Sequence, residues 1–211
     1  MLVVGINVAL WFEGRFEDYR DAQAEQEYLQ GLHDDLTADL KELDRLIVSS
    51  NRKIERLAEA LKTLPELANA PQDVIANTIF LPAGYEFFEP SDFTYRSMQE
   101  SGDFRLLSDA EVKKGLLSIA RQHRLIETLQ RNFIQALDDS YIRVVMGGFD
   151  ILEMRLADPK LLDSQVFRNF FVFTMQETDN RVTAYTATRD QVAAMLELIL
   201  AQIGGRTDPP G

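Results

Sequence analysis

Side chains able to do chemistry are few in this sequence, and their spacing argues against most of it. There are two histidines, His33 and His123, and no cysteine. Thiolate catalysis, disulfides and cysteine-held metals are thereby excluded. His33 precedes Asp34 and Asp35, which suggests metal ligation. Yet no His-x3-His or Glu-x-x-His pair gives one helix face two ligands. His123 falls on an apolar stripe, where a hydrogen-bonded core histidine is the simpler reading than a general base. Asp138 and Asp139 are adjacent, so a helix turns them about 100° apart. They read as surface charge rather than as a paired acid and base. No serine sits in a Gly-x-Ser-x-Gly elbow. These patterns predict no enzyme, no catalytic residue, no metal and no cofactor.

The most distinctive local segment runs from Tyr95 to Leu107. Ser101 and Gly102 read as a structural turn, with glycine ending a helix and Tyr95 and Phe104 packing beneath it. The sharper alternative is a ligand or partner surface made by Tyr95, Arg96 and Arg105, whose guanidiniums would recognise an anionic group.

These residues need helices to position them. One long helix is expected from Phe16 to Leu64, because Leu29, Leu32, Leu36, Leu40, Leu43 and Ile47 step by three or four, and Ile54, Leu57, Leu61 and Leu64 resume after a gap across Ser50. Pro65 ends it. A short helix follows Asn69-Ala70-Pro71 to about Phe80, and Tyr85, Phe87 and Phe88 lie in a loop that plugs a bundle end. Another short helix covers Asp92 to Glu100. Ser108 to Glu111 reads as a capping box that opens a second long helix to about Met146, with Gly147-Gly148 at its end. The third long helix starts near Ser164, carries Phe167, Phe171, Thr174, Val182 and Tyr185 on one face, and has a polar middle from Glu177 to Arg181 where it could break. Gly204-Gly205 terminates it. The fold class is therefore all-α: an elongated bundle of three long helices with shorter ones between, over residues 16–205, and a disordered tail at 206–211.

Residues 2–12, LVVGINVALWF, are an uncharged and largely apolar run. A spanning helix needs roughly 20 such residues, so Met1 reads as an internal or trimmed start, and residues 1–15 as a membrane-anchor segment. Trp11 and Phe12 close the run as an interface pair. Residues 13–44 hold eleven acidic and three basic side chains. Cytoplasmic flanks are normally basic, so an inner-membrane protein with a periplasmic body is expected.

Net charge is −12, which disfavours nucleic acid as a partner. Hydrophobic residues are 45% of the chain, enough for a packed core rather than disorder.

The order of features resembles a bacterial family catalogued as domain of unknown function 6090. The resemblance is carried by Val3-Val4-Gly5-Ile6, Ala9-Leu10-Trp11 and Glu13 running into Glu25-Gln26-Glu27-Tyr28-Leu29. A second match is Thr94-Tyr95-Arg96-Ser97-Met98-Gln99-Glu100-Ser101-Gly102, with Leu106-Leu107 and the helix from Asp109. It implies a membrane anchor and a helical body, and supplies no catalytic residue. The chain departs from the pattern in lacking a basic stretch and the first half of the apolar helix. The functional expectation is a membrane-anchored, extracytoplasmic scaffold or interaction module that uses a protein partner or self-association. The alternative is a sensor-like domain that binds a small ligand between helices.

Overall fold

The structure, a computed structural model, describes residues 2–205, with side chains described from residue 17 onward. Helix α1 (Leu2–Thr63) is followed by a 3-10 turn (Leu64–Asn69), α2 (Gln72–Phe80), α3 (Phe93–Ser101) and a second 3-10 turn (Asp103–Leu106). Then come α4 (Ala110–Ala136), a π-helical stretch (Leu137–Ile142), α5 (Arg143–Gly148), strands β1 (Phe149–Asp150) and β2 (Arg155–Leu156), α6 (Lys160–Asp163) and α7 (Gln165–Gly205). The fold is mostly helical, as expected. Its one departure from all-α, among the described residues, is the small antiparallel hairpin, in which Phe149 pairs with Leu156 and Asp150 with Arg155.

Residues 2–12 belong to α1 without a break. No helix among the described residues is long and apolar enough to cross a membrane, so the expected anchor helix is not found. The apolar run gives way to charge at Glu13, about half the length a span requires. The side chains of Trp11 and Phe12, and the expected tail at 206–211, lie outside the described residues.

Burial along α1 corrects the expected stripe. The buried positions are Glu25, Leu29, Leu32, Leu36, Asp39, Leu43 and Leu46, resuming at Leu57 and Ala60. Steps of four and three alternate, the rhythm of a heptad seam. Leu40 and Ile47 are only partly buried, and Asp39 and Leu46 hold the inward positions instead. Glu25, Asp39 and Lys53 thus recur at every fourteenth residue of the seam.

The chain forms two compact units. The first takes residues up to Lys41, Pro90–Ala120 and Asp190 onward. Its polar seam residues hold backbone. The Ser108 N–H donates to Glu25 Oε1 (2.5 Å) and the Ser91 N–H to Asp39 Oδ1 (2.7 Å). The Thr94 N–H, in the first turn of α3, donates to Asp35 Oδ2 at 2.8 Å. A carboxylate from α1 therefore satisfies a helix-end donor that Asp92 leaves uncapped. Gly31 permits this approach, since a Cβ there would lie 2.8 Å from Thr94 Oγ1. Gly102, at φ +81°, ends α3 in the left-handed conformation expected of it. The expected capping box is different in detail. Asp109 is the cap, accepting the N–H groups of Glu111 (2.6 Å) and Val112 (3.3 Å), because Ser108 is engaged by Glu25.

The second unit takes Glu42–Glu89 and Arg121–Arg189. Its core is aliphatic with an aromatic cluster inside it. Tyr141 stacks on Phe170 (4.6 Å between centroids) and on Phe167 (5.8 Å), and its hydroxyl donates to the Ile79 carbonyl. The π-helical stretch explains why Tyr141 is inside. Buried positions 126, 130, 133 and 137 keep the heptad rhythm, and the inserted residue then carries burial to 141 and 145. Gln130 is buried beside them. Its side-chain oxygen accepts from the Phe88 N–H (2.8 Å) and the Tyr185 hydroxyl (3.0 Å), and its amide donates to the Phe88 carbonyl (3.2 Å). Phe88 is thereby held in the core, against residues within α4 and α7. The polar middle of α7 does not break the helix. Thr174, Thr178, Arg181 and Thr188 face inward there, and Arg181 rather than Val182 is buried.

Candidate functional site

The second unit holds a cavity of about 590 Å3, within the usual range for small-molecule sites. α1 contributes Arg52, Lys53 and Arg56 to it, and α7 contributes Arg181. Residues 52, 53 and 56 are on one side of α1 because residues three or four apart share a helix face. Glu86 is the one acidic side chain of the lining. Its carboxylate is bound by Ser49 and by Arg45 (2.7 Å), which hold its carboxyl below the usual range. Arg45 is outside the lining and is shared with Glu42, so Glu86 offsets part of the charge of the four lining cations, Lys53 among them. An acidic protein here carries an open hollow lined by four cations and one carboxylate.

Arg181 is the centre of this arrangement. It is 3% exposed. Its guanidinium lies 4.6 Å from the centroid of the Phe133 ring, and Nη2 donates to Thr178 Oγ1 at 3.0 Å. Nη1 is buried and has no hydrogen-bond partner among the described residues. Burial lowers its pKa, yet a guanidinium stays protonated. A buried cation without a paired carboxylate is costly. Lys53 Nζ sits 5.5 Å from the same ring and donates to the carbonyls of Gly84 and Pro82, tying down the turn after α2. Burial, with the charges of Arg181 and Arg56 added, pushes Lys53 down to about 8.

The rest of the lining divides by character. Phe80, Leu81 and Tyr85 offer apolar surface, while Ser50, Asn77 and Thr178 offer hydrogen bonds. Such a hollow can hold an anion with an organic body.

The residues singled out from the sequence are elsewhere. Tyr95, Arg96 and Arg105 belong to the first unit and do not line this cavity. Arg96 is exposed and paired with Asp92 at 3.1 Å. The Tyr95 hydroxyl accepts from Gln99, and its ring meets Phe104 edge-on at 5.9 Å. Arg105 is exposed, and its carbonyl accepts from Lys113. Ser101 Oγ accepts from the Asp103 N–H, completing the turn at Gly102. His33 is beside Asp34, and His123 packs edge-on against Phe88 at 5.4 Å. Among the described residues no group of three or more acidic or imidazole side chains is placed to hold a metal.

Lys53 and Arg181 were missed, although the sequence carried a signal for both. The gap in the α1 stripe after Ile47 and the polar middle of the last helix are the places where cations face inward. Periodicity alone scored them as interruptions. No family model, no curated protein and no solved structure matches this chain.

Proposed function

We propose that this protein is a non-catalytic helical binding module that holds a small organic anion in the cationic cavity of its second unit. One observation carries the reading: four cations, Arg52, Lys53, Arg56 and Arg181, line one cavity with a single carboxylate, and the buried guanidinium of Arg181 keeps a donor unused. An anion there would complete a charge-assisted hydrogen bond and offset the four lining cations. The test is calorimetric titration of the full chain with a panel of small carboxylates and phosphates. Binding that Arg181→Gln abolishes supports the reading. The absence of binding by any member of the panel would end it.

A second reading, an interaction module, is favoured by the hairpin. Ile151, Leu152 and Met154 are exposed at its tip, Leu152 at 95%. Apolar side chains grouped at one projecting turn are suited to a protein partner or a second copy. Membrane attachment through residues 2–12, and an extracytoplasmic body, rest on the apolar run and its acidic flank. Kinship with domain of unknown function 6090 rests on the residue pattern around Thr94 to Gly102.

A further inference from the structure

We infer that the anion recognised in the second unit is a dianionic phosphate monoester of a small organic molecule, bound with its phosphate toward Arg181 and its organic part against Phe80 and Tyr85. The inference rests on the anion-binding reading above and narrows it to one ligand class.

Charge makes the first argument. Arg52, Lys53, Arg56 and Arg181 share one hollow, and Glu86 is already taken by Ser49 and Arg45. Arg52 and Arg56 form no ion pair among the described residues. A monocarboxylate offsets one positive charge and leaves the others repelling at short range. A phosphate monoester carries about −1.5 to −2 at neutral pH and presents three acceptor oxygens. It can meet more than one of the lining cations at once.

Geometry makes the second. Arg181 is fixed by Phe133 on its face and Thr178 at Nη2, so the unused Nη1 is held in place. A preorganised guanidinium loses little freedom when it binds an oxyanion. Lys53 is fixed as well, by the Gly84 and Pro82 carbonyls. Both cations are set before any ligand arrives. Arg52 and Arg56 are exposed on the rim, where they can close on the outer oxygens.

Size makes the third. A cavity of about 590 Å3 is far larger than a bare oxyanion needs. Phe80, Leu81 and Tyr85 would cover an apolar or aromatic body, and Asn77 and Ser50 would bond to polar groups on it. Inorganic phosphate should therefore bind, and bind more weakly than an ester.

The experiment is isothermal titration of the full chain at neutral pH and low salt with three probes: phenyl phosphate, inorganic phosphate and benzoate. Phenyl phosphate is expected to bind about tenfold or more tighter than either of the others. Arg181→Gln, and the exposed pair Arg52→Gln with Arg56→Gln, should each weaken it about tenfold or more. The rim pair keeps the test valid if Arg181→Gln fails to fold, because its thermal midpoint should match the parent. Benzoate binding as tightly as phenyl phosphate, with the same dependence on Arg181 or the rim pair, would overturn the dianion class and leave the anion site standing. Inorganic phosphate binding as tightly as the ester would overturn the role given to Phe80 and Tyr85. No binding, or binding indifferent to these substitutions, would overturn both the inference and the reading beneath it.

Discussion

Lys53 and Arg181 converge on one aromatic ring: the ammonium lies 5.5 Å and the guanidinium 4.6 Å from the centroid of Phe133. Two like charges are thus held near each other by a shared quadrupole. Arg181 and Arg56 both depress Lys53, Glu86 opposes them, and burial dominates. The folded pKa is about 8, against an ordinary 10.5. Between those values the unfolded chain holds a proton that the folded chain has released, so this residue makes stability rise with pH over that window. Urea midpoints of the parent and of Lys53→Met, measured from pH 7 to 10.5, should converge as pH rises. Parallel curves would show that Lys53 titrates normally.

The same lysine should link the anion site to pH. A bound anion favours the protonated amine, so affinity for phenyl phosphate should fall as pH climbs through about 8. Lys53→Met should bind more weakly at pH 7 and lose most of that slope. A slope unchanged in the variant would assign the titration to another group.

Asp39 carries the opposite sign. Burial, with Asp35 and Asp92 adding to it and the Ser91 N–H opposing, raises its pKa to about 7 from 3.8. The folded state holds the extra proton between those values, so stability falls as pH rises through the window. Asp39→Asn keeps an acceptor for Ser91 and removes the buried charge. It should be more stable than the parent at pH 8 by about 1 kcal/mol or more, with the difference shrinking toward pH 4. Greater stability of the parent at pH 8 would show that the carboxylate is needed as a charge.

Gly102 sits at φ +81°, and a Cβ added there would meet nothing within 4 Å, so conformation alone is at stake. Gly102→Val should destabilise by roughly 1–2 kcal/mol. Gly31→Val acts differently, by driving a side chain into Thr94. It should loosen α3 and expose the Thr94 amide to hydrogen exchange, which Gly102→Val would do less directly. Equal exchange at Thr94 in the two variants would remove that distinction.

Placement relative to a membrane has its own test. Paired C-terminal reporters, one active only in the cytoplasm and one only after export, should report an exported body. The motive is the scarcity of Lys and Arg in residues 13–44. Activity of the cytoplasmic reporter alone would reject that placement. At the hairpin tip, Leu152→Ser should leave the thermal midpoint unchanged and reduce any self-association seen by sedimentation.

How much of this was legible in the sequence depended on the kind of signal. Gly102, Pro65 and the Ser164 start of α7 were readable, because turn and cap chemistry is local. The Phe167 N–H does donate to Ser164 Oγ. Leu40 and Ile47 were misplaced, because their neighbours Asp39 and Leu46 are inside, and Asp39 there accepts from a backbone amide 52 residues away in sequence, which no local pattern announces. The π-helical stretch was invisible because the step of four from Leu137 to Tyr141 reads as an ordinary helical stripe, so Tyr141 was legible as inward while the inserted residue was not. The candidate site was the least legible. Its cations come from α1 and α7, and tertiary packing alone brings Lys53 and Arg181 to one ring.

The recurrence of Glu25, Asp39 and Lys53 along the α1 seam has a consequence for how that helix tolerates change. A seam of leucines alone could slide by seven residues and bury the same surface, because the apolar pattern repeats. Glu25 and Asp39 forbid it, since each must meet one particular amide, at Ser108 and at Ser91. Removing seven residues between them would keep every leucine in phase and still pull a carboxylate away from its amide. Length between the two acids is therefore fixed as strictly as phase, and insertions or deletions of whole heptads in that stretch should be as disruptive as those that break the rhythm.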